Sequence, residues 1–345
     1  MQRCLELARL GAGNVAPNPL VGSVIVYNNL IIGEGWHQKV GYAHAEVNAI
    51  ASVSEANQPH LKLATLYVNL EPCAHFGKTP PCADLIIASG IPKVVIGMLD
   101  PNPLVAGKGI EKLRNAGIEV ITDVLKDECL LLNKRFIKGI TQKKPYVILK
   151  WAQTANGFLS PDASKISKEE FEQQRHITGK WVQKLVHKWR TQEDAIMVGT
   201  NTALTDNPAL NNRAWEGRSP ARVVLDKSLR LPSNLKIFDG SQRTFVLNAS
   251  VEKEAGNNSY INLNFEEDWF SEALEKLYSQ GVSSLVVEGG AQLLNHIILT
   301  SLWDEAIVFY SKSHLAEGVK APNIGGKLLF QEDLGQVALF QYLNQ

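Results

Sequence analysis

No sign of charge dominates this chain of 345 residues: Lys plus Arg and Asp plus Glu each number 35, leaving a formal net charge of zero. That balance withholds the basic footprint by which proteins grip nucleic acid backbones, so no nucleic acid partner is expected. Long apolar runs are missing too. No stretch approaches the roughly eighteen uninterrupted apolar residues of a membrane-crossing helix. The opening Met1-Gln2-Arg3-Cys4-Leu5-Glu6-Leu7-Ala8-Arg9-Leu10 reads as a short amphipathic helix, without the apolar core or small-residue cleavage site of a signal peptide. Cysteine is scarce, with four residues in all. That scarcity argues against a disulfide scaffold and for a reducing compartment, so a cytoplasmic protein with no membrane partner is expected. What remains is ordinary globular composition, 45% hydrophobic and 20% charged, and length enough for two domains with a core each.

Two of the cysteines fall in one stretch, Pro72-Cys73-Ala74-His75-Phe76-Gly77-Lys78-Thr79-Pro80-Pro81-Cys82, which follows His44-Ala45-Glu46 by about thirty residues. A lone cysteine is commonly a small buried hydrophobe. One imidazole and two thiolates together are three ligands for Zn²⁺, one ion per chain, leaving a fourth position open for water. Structural zinc usually takes four protein ligands, and only His44, Cys73 and Cys82 have convincing spacing, which favours catalysis over a staple. Glu46, two residues beyond the histidine and not itself a ligand, is what a hydrolytic zinc deaminase needs as its proton shuttle; the pattern is that of the zinc deaminases. Cys4 and Cys129 sit on helical patterns, and His37 and His60 read as ordinary residues.

The first half alternates. A helix over residues 2–11 ends at Gly11 and Gly13, and two strands joined at Asn28-Asn29 make a hairpin ending near Trp36. Asn18 sits between Pro17 and Pro19, where a rigid loop could present its amide. Helical character over 44–55, a strand at 65–69, a helix beginning at Cys82, a strand at 93–97, a helix over 107–116 and a strand at 118–122 complete a βαβαβ pattern after the hairpin: a mixed sheet with helices on both faces. Residues two apart do not share a helix face, so His44 and Glu46 can both reach one cavity only from a helix's first turn.

Lys143-Lys144-Pro145 reads as a boundary, giving domains over 1–142 and 143–345. Beyond it lie a strand at 146–151, a polar stretch at 160–176 with no strong pattern, and a helix over 178–189 whose Trp181, Leu185 and Trp189 are expected to pack. Strands follow at 195–199, 223–226, 244–248 and 284–288. The last runs through Gly289-Gly290 into a helix over 291–299, a strand–glycine–helix junction whose free N–H groups can face a phosphate.

General nucleoside deaminases place two residues between their cysteines; here there are eight. The long loop, with Asn18-Pro19-Leu20-Val21-Gly22, His44-Ala45-Glu46 and Asp100-Pro101-Asn102-Pro103, closely resembles the RibD family, the bifunctional deaminase–reductases of riboflavin biosynthesis. In the second half Lys150-Trp151-Ala152, Arg190, the stretch from Gly199 to Pro208 with Leu210 and Arg213, and Val287-Glu288-Gly289-Gly290 resemble the same family's reductase domain. The resemblance implies an α/β protein: an N-terminal cytidine deaminase-like three-layer α/β/α domain followed by a dihydrofolate reductase-like α/β domain. It implies zinc-dependent deamination of a phosphoribosylated diaminopyrimidinone, with Asn18, His75 and Lys78 as substrate contacts, then reduction of the ribosyl group to ribityl by NADPH. Ala152, His176, Thr202, Asp206 and Gly290, Ala291, Gln292, Leu293, Leu294 and Asn295 would hold the dinucleotide; Arg190, Leu210, Arg213 and Glu288 would hold the substrate. A homo-oligomer, dimer or tetramer, is expected.

Three positions depart from the family's pattern. Asn156 stands where an aspartate is usual, His176 where a tryptophan is, and Lys227 where a small hydroxyl residue is common, and the loop leading to His176 is long. These keep an alternative in view, a deaminase whose second domain serves oligomerisation or ligand binding only. A base deaminase acting on nucleic acid is the further competitor, against which the neutral charge and the cysteine spacing speak.

Overall fold

The computed structural model describes residues 1–76, 80–103 and 105–344, and the chain divides into two units, Met1–Lys143 and Lys144–Gln345. The first begins with helix α1 (Gln2–Arg9) and the hairpin β1 (Gly22–Tyr27) and β2 (Leu30–Trp36). Asn28 and Asn29 turn it with φ of 48° and 61°, the left-handed pair that a tight two-residue hairpin requires. Then come α2 (Ala45–Ala51), a 3₁₀ stretch Glu55–Leu63, β3 (Thr65–Leu70), α3 (Cys82–Ala88), β4 (Lys93–Met98), α4 (Lys108–Asn115), β5 (Glu119–Ile121), α5 (Lys126–Leu132) and α6 (Lys134–Gln142).

The strands form one five-stranded sheet in the order β2-β1-β3-β4-β5. The hairpin joins β3 antiparallel, while β3, β4 and β5 run parallel. Alternation along β1 serves both faces: Ile25 enters the larger core, with Ala45, Ala49, Leu66 and Ile86, whereas Val24 packs with Cys4 and Leu7 of α1. Close approach needs glycine at two places. A Cβ on Gly35 would lie 2.5 Å from the backbone nitrogen of Ala49, so β2 can receive α2 closely; a Cβ on Gly109 would lie 2.0 Å from the carbonyl oxygen of Pro72, where α4 meets the cysteine loop.

The second unit comprises β6 (Tyr146–Gln153), β7 (Phe158–Ser160), α7 (Lys168–Gln174), α8 (Gly179–Arg190), β8 (Ala195–Gly199), α9 (Thr200–Asp206), β9 (Ala221–Leu225), β10 (Thr244–Asn248), β11 (Lys253–Ala255), β12 (Asn258–Asn262), α10 (Trp269–Ser279), β13 (Ser284–Val287), α11 (Ala291–Leu299), β14 (Glu305–Ser311), β15 (Val319–Lys320), β16 (Lys327–Asp333) and β17 (Val337–Leu343). Its main sheet has ten strands in the order β11-β12-β10-β9-β8-β13-β6-β14-β17-β16. From β12 to β14 every neighbour is parallel; β11, β17 and β16 are antiparallel additions at the edges. The central strands are near-continuous apolar runs because both faces are covered. Met197 faces α10 and α11 in the main core, and its neighbours Ile196 and Val198 face a second cluster with Leu210 and Ile237.

Two expectations need correction. The polar stretch 160–176 contains α7, whose start is a capping box: the Ser167 hydroxyl accepts from the Glu170 N–H while the Glu170 carboxylate accepts from the Ser167 N–H. On α8 Trp189 packs as expected, stacked on Phe309 at 5.8 Å, and Leu185 is half-buried, but Val182, Val186 and His187 take the buried positions and Trp181 is 60% exposed.

Glu71 ties the first unit's active end together. Its buried carboxylate accepts from the backbone N–H groups of Gly109 (2.9 Å), Ile110 (3.4 Å), Gly107 (3.0 Å) and Asp100 (3.2 Å). It thereby caps α4 and anchors the preceding loop beside Cys73. Glu71→Gln turns one acceptor into a donor facing donors, at a cost of about 2 kcal/mol. Hydrogen exchange at the amides of residues 107–110 is expected to speed up by at least about tenfold; unchanged protection would contradict this role for Glu71.

Candidate functional site

Three separate segments bring the metal-binding side chains together. His44 caps the start of α2 in an extended conformation, Cys73 follows β3, and Cys82 is the first residue of α3. Their donor atoms all lie within 4.8 Å of one another. Nδ1 of His44 is 3.3 Å from Sγ of Cys82 and 3.7 Å from Sγ of Cys73. A tetrahedral zinc with Zn–S of about 2.3 Å and Zn–N of about 2.0 Å would set sulfur and nitrogen about 3.5 Å apart, so the donor set fits that ion. The Cys82 N–H donates to the Cys73 sulfur at 3.2 Å, which favours the thiolate. Within the pair the Cys82 thiol holds Cys73 below the usual thiol range, and Cys82 itself is driven up by its bond to Cys73 and by burial. A divalent cation would hold both as thiolates.

Glu46 lies in the first turn of α2, 3% exposed, and burial pushes its carboxyl up to about 7. Asn18 reaches the same region through a histidine that sequence reading passed over. Nδ1 of His37 is 3.1 Å from the Ala43 carbonyl, which can only accept, so Nδ1 carries the proton. Nε2 is then free to accept from the Asn18 amide at 3.1 Å, which directs the oxygen of that amide elsewhere. Burial lowers the His37 pKa, in keeping with a neutral ring, and the ring meets His44 edge-on at 5.6 Å between centroids. No signal within the sequence announces this relay, because its partners are joined only by the fold. His75 is exposed, and Lys78 lies outside the described residues.

In the second unit a cavity of about 810 Å³ opens at the carboxyl ends of the parallel strands, where α/β sheets bind their ligands. Ala152, His176, Thr202, Asp206, Glu288 and Gly290 through Leu294 all line it, whereas Asn295 lies on the exposed side of α11. Its volume suits a ligand larger than most metabolites. Glu288 accepts from Arg190 at 2.9 Å and faces Lys150 at 3.8 Å. Its Oε1 and the Nε of Arg190 are buried without a hydrogen-bond partner, polar atoms that a bound molecule would satisfy. A Cβ on Gly290 would sit 3.0 Å from Oγ1 of Thr202, so glycine leaves the backbone bare at the start of α11. Together the bare helix start and the size fit a dinucleotide. Leu210 buries its side chain in the second core cluster, and Arg213 is exposed, its N–H donating to Nδ1 of His187 at 3.3 Å.

The departures have local explanations. Asn156 donates to the Leu315 carbonyl at 2.6 Å and accepts from the Thr154 hydroxyl at 2.8 Å, tying down the turn between β6 and β7. The long loop packs Phe171 and Arg175 onto the cavity wall, and Arg175 pairs with Asp206 at 3.2 Å. Sequence reading missed this wall although its capping box, Ser167-Lys168-Glu169-Glu170, was in view.

Comparison with known proteins falls on the same two units. The family model of the cytidine and deoxycytidylate deaminase zinc-binding region matches residues 1–98, and that of the RibD C-terminal domain matches residues 145–315. These define the class, a zinc-binding deaminase domain followed by a RibD-type reductase domain. The riboflavin biosynthesis protein RibD of Aquifex aeolicus (strain VF5) is 39% identical over 333 residues, covering 94% of this chain and 89% of the relative. That of Actinobacillus pleuropneumoniae is 39% identical over 351 residues, covering 96% and 88%. A crystal structure from Thermotoga maritima, described as a diaminohydroxyphosphoribosylaminopyrimidine deaminase/5-amino-6-(5-phosphoribosylamino)uracil reductase, superposes with a TM-score of 0.88 at 36% identity, covering 100% of this chain and 97% of that one. Acinetobacter baumannii RibD (form 1) gives 0.86 at 32% identity, with the same coverage. The chain belongs to the RibD family. Because the matches span both halves, the alternative of a degenerate second domain is not favoured.

Two outcomes follow from this geometry. Cys82→Ser is expected to drop bound zinc from one ion per chain to well below half, by elemental analysis after dialysis, while Cys129→Ala keeps it; full zinc in the Cys82 variant would contradict the ligand set. Burial raises the Glu288 pKa, but Arg190 and Lys150 outweigh it and bring the group to about 2, below its ordinary 4.5. The folded state thus binds fewer protons than the unfolded, so the contribution is complete above about pH 4.5 and is lost as pH falls through about 2, about 3 kcal/mol in all. Six of the seven tryptophans lie in this unit, so acid unfolding followed by tryptophan fluorescence reads it. Glu288→Gln is expected to flatten the stability profile across that window, and an unaltered slope would contradict the cluster's role.

Proposed function

We propose that the two units catalyse successive reactions on one phosphorylated pyrimidine: residues 1–142 deaminate it and residues 143–345 reduce its sugar. The observation that carries this is the open three-donor cluster with a buried carboxylate in the adjoining helix turn, on a chain whose relatives span both halves. The chain is a bifunctional riboflavin-pathway enzyme, a zinc hydrolase and an NADPH-dependent oxidoreductase. The substrate read from the family is 2,5-diamino-6-(5-phosphoribosylamino)pyrimidin-4(3H)-one.

His44, Cys73 and Cys82 would hold Zn²⁺, and its Lewis acidity would ionise a water near neutral pH. Glu46 is the proton carrier of the site, placed to accept a proton from the attacking water and to return protons to the ring nitrogen and the departing amine. Overall a C–O bond forms, a C–N bond breaks, and ammonia leaves. The Asn18 oxygen, freed by the His37 relay, accepts from the substrate; His75 contributes from the rim, and Lys78 is assigned to the phosphate as a mobile cation.

NADPH would supply a hydride to C1′ of the ribose in its open-chain imine form, giving ribityl. Ala152, His176, Thr202, Asp206 and the stretch from Gly290 to Leu294 hold the dinucleotide, the start of α11 offering N–H groups to its phosphates, while Asn295, expected there too, faces away from the cavity. Arg190, Arg213, Glu288 and the Leu210 backbone position the substrate, the arginines by forked bonds to its phosphate. Positioning is the protein's main task here. Among the described residues no helix is long and apolar enough to cross a membrane, and all four cysteines are unpaired, which supports a reducing cytoplasm.

Glu46→Gln is expected to keep its zinc while ammonia release falls at least about a hundredfold. NADPH oxidation with the already deaminated substrate should stay near wild type. Substantial ammonia release by this variant would reject the proton-transfer role.

A further inference from the structure

NADPH and NADH differ by one phosphate, on the 2′-oxygen of the adenosine ribose, and discrimination requires a cation near that oxygen. The cavity crosses the sheet from β9 through β8 and β13 to β6, a span of about 14 Å at about 4.8 Å per strand. On the β6 side stand Lys150 and Glu288, the latter bonded to Arg190. Hydride transfer to the substrate's sugar therefore belongs at that end, and the adenosine belongs toward β9. The wall there is apolar and aromatic: Leu225 ends β9, and Trp269 and His296, stacked on each other at 5.1 Å, border the cavity.

The loop leaving β9 begins with Asp226. An acid after a strand at such a crevice is what accepts the 2′-hydroxyl in NAD-binding folds. Here that carboxylate is 2% exposed and turned inward, accepting from the N–H groups of Arg230 at 3.1 Å and Leu231 at 3.0 Å. The same two bonds fix the backbone from which Arg230 projects onto the cavity wall. The guanidinium is seated on a neutral partner, donating to Oδ1 of Asn201 at 2.9 Å. Among the described residues Arg230 makes no ion pair, whereas the other long cations of the wall are committed, Lys150 to Glu288 and Arg175 to Glu172 and Asp206. Lys227, on the same loop, rests over the Phe265 ring at 5.1 Å, and Phe265 stacks on Trp269.

We propose that Arg230, seated on Asn201 and aided by the charge of Lys227, binds the 2′-phosphate and selects NADPH over NADH. This rests on the reading of the cavity as the NADPH site. The inward-turned Asp226 removes the group that would favour NADH, and the positive loop supplies the one that favours NADPH.

The test is titration calorimetry of the full chain with NADPH, NADH, 2′,5′-ADP and 5′-AMP, for the wild type, Arg230→Gln and Asn201→Ala. The wild type is expected to prefer the 2′-phosphorylated member of each pair. Arg230→Gln should weaken NADPH and 2′,5′-ADP by about ten- to a hundredfold, leaving NADH and 5′-AMP within about twofold. Asn201→Ala should lose the same selectivity in smaller measure. If Arg230→Gln changes all four ligands alike, or none, the assignment to Arg230 is overturned while the cofactor site stands. If the wild type binds neither dinucleotide, the reading of the cavity and the assignment fall together.

Discussion

An imidazole and two thiolates must meet at one point although they come from three stretches of chain, and the first unit is arranged around that meeting. The parallel pairing of β3 with β4 delivers Cys73 to a strand end, and two helices begin at the same place with His44 and Cys82 at their starts. Contacts that tolerate no side chain set how closely α2 meets β2, at Gly35, and how closely α4 meets the cysteine segment, at Gly109. Glu71 then fastens the loop before α4 to the residue next to the cysteine segment. Without these close approaches the donors would still be present in the sequence but not within reach of one ion.

The second unit solves a different problem, holding unlike charges in a place where water is scarce. Glu288, Arg190 and Lys150 are each largely buried, and each alone would be costly there. As a cluster they compensate one another while leaving Oε1 of Glu288 and Nε of Arg190 without partners. A site with unpaired polar atoms at one end and stacked rings at the other is incomplete until a ligand with matching ends lies in it. Placement across a parallel sheet sets the distance between those ends.

Much of this was legible before any coordinates. The runs Ala195–Gly199, Thr244–Asn248 and Ala291–Leu299 have the bounds that apolar pattern and flanking glycine or asparagine indicated. The spacing of His44, Cys73 and Cys82 singled out three residues that do stand side by side. Other elements carry weaker patterns. β16 is an exposed edge strand with no alternation to read, and α9 is a helix written in threonines, poor helix formers that follow directly from β8. On α8 the two tryptophans divide: Trp189 packs on Phe309 as its apolar ring suggests, whereas Trp181 stands outward and Val182 and Val186 take the inward positions. His37 and Glu71 were unreadable for a deeper reason. Their partners lie across the fold, so their meaning is created by contacts that no local window contains.

The most direct test of the account is a coupled assay on the purified, zinc-loaded full chain with the diaminopyrimidinone ribosyl phosphate, following ammonia release and NADPH absorbance in one cuvette. Ammonia release followed by an equal loss of NADPH is the predicted result. Ammonia without NADPH loss would contradict the reductase half of the account, and silence in both signals would contradict the whole.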